Sequence, residues 1–243
     1  MNLFSNIPTN YFLQIVFSNL KQEKSLKIIK SNKLLQKRLN IGLNTYKRFY
    51  NQIEIEIIPI LTKEKNEFIH IPDEYESNCH IYFNDNNKEI KRKYFTKEDK
   101  VIKIKIILDE EIKSLKGLFS YIDCIEKISF NKFNRKDINN MEEMFAGCKA
   151  LKEINFNKFI TDNVTNMNYM FYKCESLKEL NINKFNINNV TNMFFMFSEC
   201  SSLKEINLTT FDTDNIICKQ GMFDGCSNEL KRKIAKTYKN ILH

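Results

Sequence analysis

Residues 163–182 read NVTNMNYMFYKCESLKELNI, and residues 189–208 repeat them as NVTNMFFMFSECSSLKEINL. The two copies stand 26 residues apart along the chain. The same step separates four cysteines, namely Cys148, Cys174, Cys200 and Cys226. A strict period of this length is typical of stacked structural repeats, because one unit cannot bury its apolar side without its neighbours.

Apolar residues recur in the same register and are expected to form the core. The pattern L-x-x-I-x-F-x-x-F at residues 151–159 alternates as a short strand does. Residues 163–173 space their apolar side chains as a short helix or a helical turn does. The predicted structural core comprises Cys148, Leu151, Phe159, Met170, Phe171, Cys174, Leu177, Phe185, Met196, Phe197, Cys200, Leu203 and Phe211.

These patterns predict an α/β solenoid of the leucine-rich-repeat type, with 26-residue repeats on a parallel strand ladder. Four parts follow from the pattern: a basic helical segment at 1–50, a β-rich cap at 51–110, the solenoid at 111–227, and a C-terminal capping helix at 228–243. Asn228 is predicted to cap that last helix, because asparagine is a favoured residue before a helical turn.

The phrase N-V-T-N-M-x-x-M-F-x-x-C-x-S-L-K-E resembles the BspA-like leucine-rich repeat family over roughly residues 118–227. The last copy departs from the phrase at residues 215–219, which read NIICK. A terminal repeat is expected to be atypical. Because proteins of this family are commonly surface or interaction proteins, the resemblance implies binding rather than catalysis. It also makes a cell-surface adhesin one alternative.

The N-terminal segment contains the whole positive excess of the chain. Residues 1–50 hold nine Lys or Arg and one acidic residue, in a protein of net charge +8. Pro8 opens a predicted helix that reaches Leu20, and a second runs from Leu26 to Leu39. Residues 6–40 show a weak resemblance to an F-box, which would make the chain a substrate receptor that docks on a ubiquitin-ligase adaptor. A plain helical cap is the favoured alternative.

A row of basic residues lies on the second of these helices. Contact with nucleic acid or with an anionic membrane is one interpretation. No aromatic residue is interleaved for base stacking, so a solvated basic face is favoured over both. The residues of this row are Lys24, Lys27, Lys30, Lys33, Lys37 and Arg38.

Polar residues between the core positions of the predicted strands repeat with the same step. Successive strand residues point to opposite faces, so these side chains are predicted to line an exposed face while Ile154, Leu180 and Ile206 pack inward. We expect this face to bind another protein of unknown identity, with a merely solvated face as the alternative. The predicted partner-binding residues are Glu153, Asn155, Asn157, Glu179, Asn181, Asn183, Glu205 and Asn207.

No motif predicts catalysis, a cofactor, a metal site or a small-molecule substrate. The three histidines, His70, His80 and His243, stand in no recognisable catalytic motif. Cysteines 26 residues apart would lie along a line rather than at the corners of a tetrahedron, so they are interpreted as core residues.

The compartment is predicted to be the cytoplasm. The chain has seven cysteines, an odd number with no C-x-x-C pair, which favours a reducing environment. The first twenty residues make a poor signal peptide, and no apolar run is long enough to span a membrane.

Overall fold

The structure is a computed structural model. It describes residues 28, 32–39, 48, 50–156, 158–208 and 216–237. The chain divides into two compact units, Met1–Asn51 and Gln52–His243. In the first unit, helix α1 spans Lys33–Leu39. The side-chain oxygen of Asn32 accepts a hydrogen bond from the Leu35 N–H at 3.1 Å and so caps that helix. The predicted helix from Pro8 to Leu20, and most of the F-box-like stretch, lie outside the described residues.

Alternating isoleucines build the first strands of the second unit. Strand β1 (Ile53–Pro59) buries every second residue, and β3 (Cys79–Phe83) and β5 (Ile104–Leu108) do the same. Two short strands, β2 (Asn66–Glu67) and β4 (Tyr94–Phe95), pair with each other. Two 3₁₀ helices, η1 and η2, span Asp73–Asn78 and Lys97–Asp99.

The main sheet has five strands in the order β3-β5-β1-β6-β7. Strand β6 (Ile125–Phe133) pairs antiparallel with β1 on one side and parallel with β7 (Glu153–Asn155) on the other. Strands β8 (Glu179–Asn181) and β9 (Glu205–Asn207) form a separate parallel pair. We call the side of the repeats that carries β6 to β9 the strand side.

The predicted α/β solenoid with a parallel strand ladder is therefore wrong. The main sheet is mixed, with three of its four strand pairs antiparallel, and in the described residues no strand pairing joins β7 to β8. Helices are also few in the described part of the chain. The sheet is mixed because the alternating strands that precede the repeats, β1, β3 and β5, pair antiparallel with one another and, through β1, with β6.

The predicted helical turn at 163–173 is also wrong, because the segment folds as consecutive β-turns. The Met170 N–H donates to the Met167 carbonyl at 3.2 Å, and Tyr169, the third residue of that turn, has φ of +54°. This is the geometry of a type II turn. Isolated parallel bridges stack such turns from one 26-residue unit on the next. We call this side of the repeats the turn side.

The side chains that the register assigned to the core are buried wherever they are described, and Phe211 lies outside the described residues. A column of phenylalanines runs through the units, with ring centroids 5.2 to 5.6 Å apart. Its members are Phe119, Phe145, Phe171, Phe197 and Phe223. In contrast, Ile154 and Ile206 pack against the core but are only partly buried.

Helix α2 spans Asn228–Thr237 and buries Leu230 and Ile234 in the core at the last 26-residue repeat. The Ser227 hydroxyl accepts a hydrogen bond from the Leu230 N–H at 3.2 Å. Asn228 is the first helical residue, so Ser227, rather than the predicted Asn228, is the capping residue.

Candidate functional site

An open groove of about 780 Å³ crosses the strand side from β6 to β9. We call it the strand groove. It is lined by Lys127, Lys152, Glu153, Ile154, Glu179, Leu180, Asn181, Glu205, Ile206 and Asn207. Five of the predicted partner-binding residues therefore lie in one depression.

Charges differ between the two ends of the strand groove. At the β6–β7 end, the ammonium of Lys127 lies 2.7 Å from Glu153, and the neighbouring Lys152 lies 2.8 Å from Glu126. The hydrogen bond from Lys152 lowers the pKa of Glu126 below its usual value, and the bond to Glu153 raises the pKa of Lys127. These ions are exposed and already paired, so they add little to stability.

At the other end, Glu179 and Glu205 lie directly opposite each other in the β8–β9 register. Both side chains are exposed, and neither has an ion-pair partner among the residues that the structure describes. Like charges on adjacent strands repel. This end of the groove is therefore suited to a partner that supplies hydrogen-bond donors or a positive charge.

The floor of the strand groove is apolar. Ile154 and Ile206 are partly exposed there, and Leu180 between them is buried. An apolar centre with polar residues around it is the usual composition of a protein–protein interface.

A second, smaller depression of about 260 Å³ lies where β7 and β8 fail to pair. Asn155 and Asn183, two further predicted partner-binding residues, line it together with Phe156 and Phe185. The Asn183 N–H donates to the side-chain oxygen of Asn181 at 3.2 Å. Asn157, the remaining predicted residue, lies outside the described residues.

The repeated cysteines are packing residues. Each thiol donates to a phenylalanine carbonyl of the preceding unit, as Cys148 does to Phe119 at 3.0 Å and Cys174 to Phe145 at 3.2 Å. Burial raises the pKa of Cys226 to about 11, and that of Cys124 to about 12. In the described part of the chain, no three acidic, histidine or cysteine side chains are grouped so as to hold a metal ion.

Sequence reasoning missed a polar cluster around His80. Its Nδ1 lies 2.9 Å from Glu89, and its Nε2 lies 3.3 Å from the buried carboxylate of Asp109. Asp109 also accepts a hydrogen bond from Gln52 at 2.9 Å. Cys79 lies on the opposite, buried face of β3, because neighbouring strand residues alternate. The cluster therefore joins β3 to the end of β5.

Sequence reasoning also missed a group of half-buried aromatic residues on the turn side, which includes Tyr169 and Phe195. A signal for their unusual backbone was present in the sequence. Gly117 and Gly221 stand at the same register, and glycine is the residue that the third position of a type II turn favours.

Among the described residues, no helix is both long enough and apolar enough to cross a membrane. Residues 113–236 match the family described as "Mycoplasma protein of unknown function, DUF285". No curated protein and no solved structure matches the chain.

Proposed function

The chain belongs to the DUF285 family. We propose that it is a non-catalytic scaffold that binds another protein through the strand groove. The observation that supports this most directly is the pair of exposed carboxylates Glu179 and Glu205 beside the partly exposed Ile206. Holding two like charges side by side is unfavourable in the isolated protein. A partner that places a cationic or donor group between them offsets that repulsion.

The composition of the groove supports a protein rather than a small molecule as the partner. Small-molecule sites enclose most of their ligand in an apolar cavity, whereas the strand groove is open and its wall alternates carboxylates with the amides of Asn181 and Asn207. The partly exposed Ile154 and Ile206 supply apolar contact area at its centre.

The cytoplasm is our proposed compartment. All seven cysteines are unpaired, and six of them are buried. A reducing compartment keeps thiols in that state. Disulfide-linked peptides in a digest of the protein isolated from its own cells under non-reducing conditions would contradict this assignment.

The proposed function is tested by charge reversal in the groove. Tagged wild-type protein and the variant Glu179→Lys/Glu205→Lys are used to capture partners from a lysate of the native cell, followed by quantitative mass spectrometry. The matched control is Arg232→Glu/Lys236→Glu, which reverses two exposed charges on helix α2. We expect at least one protein to be captured by wild type and control and to be lost by the groove variant.

The thermal unfolding of all three proteins is measured first, so that loss of capture is not confused with loss of fold. The groove residues are exposed, so the three unfolding temperatures are expected to agree closely. A partner that the groove variant retains and the helix variant loses would move the binding surface to α2 and overturn the proposal.

A further inference from the structure

The turn side presents two columns of residues in the left-handed backbone conformation. The first column stands at the third position of one turn in each unit and contains Gly117, Glu143, Tyr169, Phe195 and Gly221, with φ between +53° and +64°. The second column stands four residues further on and contains Tyr121, Gly147, Lys173, Glu199 and Gly225, with φ between +55° and +72°. Glycine suits this conformation, whereas a bulky side chain makes it unfavourable.

Tyr169 and Phe195 are the two aromatic residues of the first column, where a bulky side chain is unfavourable. Glycine holds the same position in the first and last 26-residue repeats. A residue without backbone strain is therefore compatible with the turn. A strained residue that the fold does not require is an indication of function. The neighbours of these two side chains indicate which kind of chemical group they bind.

The two rings are part of a compact group that we call the aromatic patch: Tyr169, Tyr172, Phe194 and Phe195. The rings of Tyr169 and Phe195 stack with centroids 5.6 Å apart. Phe194 stands nearly perpendicular to both, at 5.6 Å and 4.3 Å, and Tyr172 stands nearly perpendicular to Tyr169 at 5.4 Å. All four side chains are half-buried, so part of each ring remains accessible to a partner.

Three acidic residues lie near the aromatic patch along the stacked turns. Glu143 precedes Tyr169 in the first column. The carboxylate of Asp224 and the ring of Phe195 both lie against Gly221, and the carboxylate of Glu199 lies against Gly225. Within the described residues none of these three acids has an ion-pair partner. They form the acidic border of the patch.

One cation already lies on this surface. The ammonium of Lys173 lies over the ring of Tyr172, 5.0 Å from its centroid. The hydrogen bond with Tyr172 is the main cause that raises the pKa of Lys173 above its usual value. The charge of Glu199 contributes to the same rise in pKa, so Lys173 offsets part of the negative charge of the acidic border.

We propose that the aromatic patch binds an arginine-bearing segment of a partner polypeptide. A guanidinium is planar and weakly hydrated, so it stacks on aromatic rings and at the same time donates to carboxylates. Glu143 precedes the stacked rings in the first column, the Asp224 carboxylate lies with the Phe195 ring at Gly221, and Glu199 stands four residues after Phe195 in the second column. A wholly apolar occupant would leave these carboxylates without donors, and the phosphates of a nucleic acid or an anionic lipid would be repelled by them.

This surface is distinct from the strand groove, because it lies on the turn side of the same units. Its test therefore does not depend on the proposed function. The probe is a fluorescein-labelled peptide with three Gly-Ser-Arg repeats, and the matched probe contains citrulline in place of arginine. Citrulline keeps the shape of the side chain and removes its charge. Fluorescence anisotropy measures binding of each probe to the full chain.

The protein variant that tests the patch is Tyr169→Gly/Phe195→Gly. It removes both rings and replaces them with the residue that the same turn has in other units, so the backbone is expected to fold. A second variant, Glu143→Gln/Glu199→Gln/Asp224→Asn, removes the acidic border. Its matched control, Glu64→Gln/Glu67→Gln/Glu74→Gln, removes three exposed carboxylates elsewhere in the chain.

We expect the arginine probe to bind wild type and the control variant with equal affinity. We expect about tenfold or more weakening for the citrulline probe, for the glycine variant and for the variant without the acidic border. Equal affinity for the two probes, no binding at millimolar protein, or full binding by the glycine variant would each overturn the proposal. Self-association in sedimentation that the glycine variant abolishes would also overturn it, since a second copy would then occupy the patch.

Discussion

On the turn side, the backbone N–H groups of Met141, Met167 and Met193 each donate to the carbonyl of the next unit at 2.7 to 3.0 Å. On the strand side, by contrast, the pairing between units stops after β7 and resumes only at β8. The same 26-residue period therefore produces a regular stack on one side and a broken one on the other. The hydrogen bonds of the turns join every described repeat to the next, whereas the strands pair only between β6 and β7 and between β8 and β9.

The difference arises from what each side specifies. A type II turn fixes two backbone conformations and directs its N–H groups outward, so identical turns bring donors and acceptors of successive units into register. A three-residue strand with mixed burial, such as β7, contributes few hydrogen bonds and little buried area. Ile154 and Ile206 stay partly exposed as a result, and the strand groove is formed there.

The comparison predicts a large difference between core substitutions on the two sides. Phe171 is fully buried and stacks on Phe145 and Phe197 at 5.6 Å on each face. Phe171→Ala is expected to lower the free energy of unfolding by about 3–5 kcal/mol, as for a large cavity in a packed interior. Chemical denaturation monitored by circular dichroism measures the change.

Ile206→Ala on the strand side is the matched variant. Its side chain is partly exposed, so we expect a loss of about 1 kcal/mol. Equal losses for Phe171→Ala and Ile206→Ala would show that both sides support the stack equally, and the comparison would fail.

The contrast between the turn side and the strand side also explains which features of the fold the sequence predicts and which it does not. The period places side chains such as Cys174, Leu177 and Phe185 inside, because a residue repeated in register faces the same neighbours in every unit. The period does not indicate that β1 pairs antiparallel with β6, because the strands alternate in the same way whichever partner they have. The fold class was mispredicted for that reason.

The candidate sites show a similar limit. Alternation along the strands placed Glu179 and Glu205 on one exposed face, where the register sets them opposite each other. The aromatic patch was missed because the spacing of apolar residues at 163–173 was interpreted as helical, and a helix has no left-handed residue at position 169. Aligning Gly117 with Tyr169 would have predicted the turn.

A smaller effect is predicted for the glycines of the turn side. Gly147 has φ of +69°, and an added Cβ would overlap the ring of Tyr121. Gly147→Ala is expected to destabilise the protein by about 1–3 kcal/mol, from backbone strain together with the displaced ring. Thermal or chemical unfolding measures the loss.

Gly117→Ala separates the two causes. Gly117 has φ of +61°, but the nearest atom to its added Cβ is the Ser120 hydroxyl at 3.4 Å. Only backbone strain is expected there, at about 1 kcal/mol. A loss at Gly117 as large as that at Gly147 would mean that the Tyr121 ring moves aside freely and that the stacking of side chains over the turns contributes nothing.

The last predicted effect concerns the ion pair between Arg135 and Asp137. Arg135 follows the end of β6 and is buried, donating to the carbonyls of Asp109 and Ile112 at 3.1 Å and 3.0 Å and to the carboxylate of Asp137 at 2.5 Å and 2.8 Å. The guanidinium of Arg135 thus joins the residues after β6 to the segment that follows β5. The hydrogen bonds from Arg135 are the main cause that lowers the pKa of Asp137 below its usual value.

Because the pKa of Asp137 is lower in the folded than in the unfolded state, its ionised carboxylate stabilises the fold above the unfolded pKa of about 3.9. That contribution is lost as the pH falls through the folded pKa.

Asp137 is half exposed, so water weakens the interaction, and we expect Asp137→Asn to cost about 1 kcal/mol at pH 7. The gap between wild type and variant should narrow as the pH falls below the unfolded pKa and close as it falls through the folded pKa, because the wild-type carboxyl then also becomes neutral. Asp123→Asn, at an exposed ion pair with Lys63 of 3.5 Å, should cost less than about 0.5 kcal/mol. A gap for Asp137→Asn that is constant with pH would mean that shape rather than charge holds Arg135, and that its link to the segment after β5 does not depend on this ion pair.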